Sequence, residues 1–109
     1  ENIYPEEIDV YFDFLNDFSS GYCTAGYQDQ VTLFVSPKDY DNFQETECFA
    51  QIRKVNAGLP MNKKVTKLYA FRDPLPRTGK GEVARFQMAQ VLEERTDGVK
   101  EIKMKGRNV

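Results

Sequence analysis

Apolar residues recur at helical spacing near the start of the chain. Ile8, Phe12 and Leu15 fall on one line, with Tyr11, Phe14 and Phe18 beside it. Pro5 suits a first helical turn, so the pattern predicts an amphipathic helix over 5–17, broken by Gly21. The pattern then changes period. Val31, Leu33 and Val35 alternate with Thr32, Phe34 and Ser36, and the stretch Tyr22 to Tyr27 precedes them across Gln28-Asp29-Gln30, which predicts a β-hairpin with a short polar turn. Helical spacing returns at Cys48, Ile52, Val55 and Leu59. Asp41 and Gln44 have capping-box spacing, and Gly58 and Pro60 stop the run, giving a second helix over about 41–57.

Val65 to Phe71 is β-branched and aromatic and reads as a third strand. Asp73-Pro74-Leu75-Pro76-Arg77-Thr78-Gly79-Lys80-Gly81-Glu82 follows, with two prolines and two glycines in ten residues, and must be a loop. Val83, Phe86 or Arg85, Met88, Val91 and Leu92 start a third helix. The positions after 96 are polar, so the expected layout is one domain over 1–96 and a frayed tail over 97–109.

The composition suits a single globular domain, with 109 residues, 40% hydrophobic and 29% charged. Histidine is absent. That excludes Ser-His-Asp and Cys-His catalysis and any imidazole zinc site, and no metal ligand set is expected. Cys23 and Cys48 form no disulfide framework and read as reduced, buried thiols. No apolar run approaches the roughly 18 residues of a membrane span, and the acidic start is unlike a signal peptide, so a cytoplasmic protein is expected. The chain begins without methionine and reads as a piece of something longer.

Charge is divided unevenly along the chain. Residues 1–50 carry eleven acids and one base, whereas residues 51–109 carry six acids and fourteen bases. The basic half is a candidate for phosphate contacts, with a solvated lysine surface as the plainer alternative. The bases are scattered rather than run together, so neither nucleic acid nor a membrane is expected as a partner. Gly79-Lys80-Gly81 invites comparison with a phosphate-binding loop, but it lacks the leading glycine at the right distance and the Ser or Thr after lysine. From the residues alone this stretch is either a flexible loop or one that contacts a polyanion through Arg77, Lys80 and Arg85.

The opening Asn2-Ile3-Tyr4-Pro5-Glu6-Glu7-Ile8-Asp9 resembles the start of the C-terminal domain of AMP-forming acyl-CoA synthetases, the adenylating family that includes luciferases. The strand Val31-Thr32-Leu33-Phe34-Val35, the helix end from Ile52 to Leu59-Pro60, and the loop Leu75-Pro76-Arg77-Thr78-Gly79 leading to Gly81 and Arg85 are similar to that domain in order and spacing. The resemblance spans about residues 2–95. It implies an α+β domain, with a β-hairpin and a three-stranded sheet flanked by helices, that closes over a larger N-terminal adenylating domain.

The reaction it implies joins a carboxylic acid to ATP, bound with Mg2+ in the parent enzyme, and then passes the acyl group to coenzyme A or a carrier thiol. The small domain rotates between the two steps. Its hinge would precede Glu1, and Glu1 to Tyr4 would end the loop used for thiol transfer. Thr78, Gly79, Gly81 and Arg85 correspond to the ATP/AMP loop, with Arg85 also suited to an ion pair. The position of the family's catalytic lysine is occupied by Glu82, so Lys80, two residues earlier, is the candidate cation. Lys63, Lys64 and Lys67 are either contacts for the coenzyme A phosphates or solvated edge-strand lysines. The isolated chain is expected to be inactive. The rival reading is a non-catalytic or degenerate module that docks on an adenylating domain.

Overall fold

A computed structural model describes residues 4–104, so Glu1, Asn2 and Ile3 of the expected thiol-transfer segment and residues 105–109 of the expected tail lie outside the described residues. The fold is an α+β domain around one mixed sheet in the order β1-β2-β3-β4. β1 (Ser19–Tyr27) and β2 (Gln30–Pro37) form the expected hairpin, antiparallel from Tyr27↔Gln30 to Ser19↔Pro37. The turn is tighter than its sequence suggests. Gln28 and Asp29 both take positive φ, 54° and 63°, the geometry that matches the right-handed twist of the flanking strands.

Helix α3 (Glu47–Ala57) crosses from β2 to β3 (Lys67–Phe71), which pairs parallel with β2. The capping box at Asp41 and Gln44 does not start this helix. Residues Phe43–Glu45 form a separate 3-10 turn, and Thr46 is the cap, its Oγ1 accepting the Phe49 N–H at 3.2 Å. In the last turn of α3, the buried Asn56 side chain substitutes for a neighbouring strand. Its Nδ2 donates to Val65 O at 2.9 Å and its Oδ1 accepts the Val65 N–H at 2.7 Å, so the strand proper begins two residues later.

The helix expected over 5–17 is three pieces: α1 (Pro5–Asp9), a 3-10 turn Val10–Phe12, and α2 (Leu15–Phe18). Ile8, Phe12 and Leu15 still bury together. Asp and aromatic residues have modest helix propensity, so packing rather than local preference sets the path here. The polar tail is the largest departure. Val99–Lys103 is a fourth strand, β4, antiparallel to β3, with Ile102 and Met104 buried. The hairpin is therefore half of one four-stranded sheet rather than a companion to a separate three-stranded one.

Both faces of the central strands are covered. Leu33, Val35, Leu68 and Ala70 face the layer of α1, α2 and α3, while Phe34, Tyr69 and Phe71 face Leu75, Met88 and Val91 from the 72–84 loop and α4 (Met88–Glu94). Alternation along a strand sends successive side chains to opposite faces, and here both faces are apolar. Phe34 and Tyr69 stack with ring centroids 5.7 Å apart. Cys23 and Cys48 are free and buried, and no helix among the described residues is long and apolar enough to cross a membrane.

Candidate functional site

The loop after β3 is fastened at its base. Ser36 Oγ lies within hydrogen-bond distance of Phe71 O and Asp73 O, 3.1 and 3.0 Å away, and Arg95 reaches Pro74 O at 3.0 Å. Leu75 is buried in the second core. Above this base the chain doubles back on itself. Ala84 N donates to Pro76 O at 2.8 Å, Arg77 and Val83 form a bridge, Thr78 N donates to Glu82 O at 2.7 Å and Gly81 N to Thr78 O at 2.9 Å. The stretch is thus a miniature hairpin whose tip is Thr78-Gly79-Lys80-Gly81-Glu82. Gly81, at φ +88°, supplies the left-handed step that closes it.

Lys80 and Glu82 are both exposed at this tip, and neither side chain has an ion-pair or hydrogen-bond partner among the described residues. Thr78 Oγ1 accepts the Lys80 N–H at 3.3 Å, and Gly79 is exposed. The tip therefore presents one ammonium and one carboxylate to solvent on a braced turn.

Arg85 is placed differently. Its Nη2 lies 2.8 Å from Asp9 Oδ2, and its Nη1 donates to Thr24 O. Asp9 Oδ1 in turn accepts the Thr24 N–H at 2.8 Å and the Thr24 hydroxyl at 2.6 Å. Burial works against the Arg85 charge, but the hydrogen bonds and negative charge of Asp9 outweigh it and hold the pKa above the usual guanidinium value. Arg85 is an ion-pair residue that ties the first helix of the chain to the strand edge and to the end of the loop. Beside it, Cys23 is pushed up to about 12 by burial, only partly opposed by Arg85, and Cys48 by burial to about 11. Neither thiol is a nucleophile at neutral pH.

The three lysines proposed for coenzyme A have three different settings. Lys64 Nζ caps the end of α3 by donating to Asn56 O at 3.0 Å and Ala57 O at 2.8 Å. Lys67 pairs with Glu101 at 3.1 Å on an interior strand, so it is not an edge lysine. Lys63 Nζ sits 5.9 Å from the Tyr11 ring centroid. Among the described residues no group of three or more His, Cys, Asp or Glu is placed to hold a metal.

Two features escaped the sequence reading. Arg77 anchors the tip, and Phe86, 78% exposed, stands at the rim of an open groove lined by Ala25, Tyr27, Phe34 and Met88. The partner that reveals the Arg77 role, Ser20, is 57 positions away and carries no local signal. No family model, curated protein or solved structure matches the chain.

Proposed function

We propose that this chain is the mobile C-terminal domain of an ATP-dependent, AMP-forming acid–thiol ligase, an acyl- or aryl-CoA synthetase of the cytoplasm. The observation that carries the reading is the braced hairpin tip, where glycines flank a lysine without an internal partner. The resemblance of both ends of the chain to that domain supplies the chemistry. A carboxylate oxygen attacks the α-phosphorus of ATP, and the bond to pyrophosphate breaks, its electron pair leaving with pyrophosphate. Negative charge builds on the phosphoryl oxygens and on the leaving group. A cation delivered by a closing loop into a drying site stabilises that charge far more than it would in water. The second step is attack of a thiolate on the acyl carbonyl, with AMP departing with the electron pair.

Lys80 is the cation this chain offers. It lies two positions before Glu82, a span of at most about 7 Å of chain, which a long side chain on a glycine-flanked turn covers. Arg85, spent on Asp9 and Thr24 O, is assigned to holding the loop rather than to touching nucleotide. Magnesium would enter with ATP, and the described residues offer no ligand set for it. The acid-binding pocket and most nucleotide contacts would belong to a larger N-terminal domain. Glu82 favours a second reading. A carboxylate at the tip repels phosphate, so the domain would then be a degenerate module that docks without serving adenylation.

Pyrophosphate release by the full-length protein, measured with a panel of carboxylic acids, separates the two. Under the ligase reading Lys80→Ala loses about 100- to 1,000-fold in adenylation, the range for removing one transition-state charge contact. If Lys80→Ala changes nothing while Glu82→Lys gains activity, the tip is degenerate.

A further inference from the structure

We propose that Arg77 is the positioning residue that sets where the Lys80 ammonium is delivered; this rests on the ligase reading above. Its guanidinium bridges two backbone carbonyls far apart in sequence, with Nη1 donating to Gly81 O at 2.5 Å and Nη2 to Ser20 O at 2.6 Å. Gly81 immediately follows Lys80, so fixing its carbonyl holds the Gly81–Glu82 peptide, one Cα beyond the residue that carries the ammonium.

The strand is shaped to receive the fork. Register in the β1–β2 ladder slips between Ser19 and Gly21, so Ser20 is the extra residue of a bulge, a device that turns backbone groups away from the regular ladder. Gly21 leaves the space the guanidinium fills. A Cβ at that position would lie 3.0 Å from Arg77 Nη2 and 3.2 Å from Val83 Cγ2. Gly81 supplies the positive φ that aims its carbonyl at the same group. A bulge, a small residue beneath the fork and a left-handed turn above it thus converge on one planar cation, whose rigid fork holds both carbonyls in a fixed geometry that a flexible ammonium does not impose.

A tip held at one end only would carry Lys80 to a displaced position, and a misplacement near 1 Å costs about 100-fold in rate. In the full-length protein, Arg77→Ala should therefore lower the adenylation kcat about 100-fold, read by pyrophosphate exchange, with KM for acid and ATP unchanged. Transfer to thiol from a supplied acyl-adenylate should be unaffected, because that step does not use the tip. Arg77→Lys should recover part of the loss. Gly81→Ala, which meets no neighbour within 4 Å and perturbs only the backbone turn, should reproduce it.

Lys80→Ala is measured in parallel. If it abolishes exchange while Arg77→Ala and Gly81→Ala leave kcat intact, the positioning role is overturned and the ligase reading survives. If Arg77→Ala lowers exchange and thiol transfer equally, Arg77 is merely structural and the proposal is again overturned. If Lys80→Ala has no effect, or the wild type exchanges pyrophosphate with no acid, the ligase reading itself falls and takes this role with it.

Discussion

Replacing Asp9 with alanine should unfold this domain more readily than replacing any exposed acid. The Asp9 carboxylate receives Arg85 Nη2 at 2.8 Å, the Thr24 N–H at 2.8 Å and the Thr24 hydroxyl at 2.6 Å. Removing one partner of a fully buried ion pair costs about 3–5 kcal/mol, chiefly because the other charge is stranded. Here the Arg85 and Asp9 side chains keep 28% and 20% of their exposure, so water recovers part of that loss. The orphaned Thr24 N–H adds a further increment. The balance is about 2.5 kcal/mol, or about 10 °C in Tm for a domain of this size.

Urea denaturation of the wild type and Asp9→Ala checks the magnitude. Asp9→Asn should cost less, about 1 kcal/mol, because its side-chain oxygen still accepts from Thr24. A double-mutant cycle with Arg85→Met should give a coupling of at least about 1 kcal/mol. A cost for Asp9→Ala below about 0.5 kcal/mol, the range of ordinary surface substitutions, or a cycle with no coupling, would refute the view that this network joins the first helix to the loop.

Two further outcomes are expected. The folded state raises both thiol pKa values, Cys23 to about 12 and Cys48 to about 11, by burial, so above the unfolded thiol range the unfolded chain carries fewer protons and stability falls as pH rises. The decline should approach about 1.4 kcal/mol per pH unit for each thiol above pH ~9 and be smaller in Cys23→Ala/Cys48→Ala, and at pH ~8 a thiol reagent should label only unfolded chains; rapid native labelling would contradict the burial. At the β1–β2 turn, Gln28→Asn with Asp29→Gly places the preferred residues at two left-handed positions and should stabilise by about 1 kcal/mol in a thermal melt, whereas an unchanged or lower Tm would mean that the native turn carries no backbone cost.

Much of the fold was legible locally. The alternation in Val31–Val35, the helical spacing of Cys48, Ile52 and Leu59, and the apolar line Ile8, Phe12 and Leu15 all mark residues that are buried or partly buried. What failed was local signal without a tertiary partner. Asp41 and Gln44 have the spacing of a cap, but Thr46 occupies the position where the helix axis begins, and the early apolar line bends into three pieces to follow the core. The lysine and glycines of the loop were visible as candidate chemistry; their braced geometry was not.

Hydrophobic periodicity by itself marked the hairpin and the helix that ends at Gly58, because burial of one face imposes a period that survives in the sequence, and the prolines and glycines of 73–82 marked the loop. Strand β4 was different. Val99–Lys103 is mostly polar, and it becomes a strand because the free edge of β3 pairs with it backbone to backbone and Ile102 finds the core. The same holds for the two arginines of the loop. Whether Arg77 and Arg85 face solvent, a ligand or the protein depends on carbonyls and a carboxylate between 4 and 76 positions away, and only the folded chain brings those groups within hydrogen-bond reach.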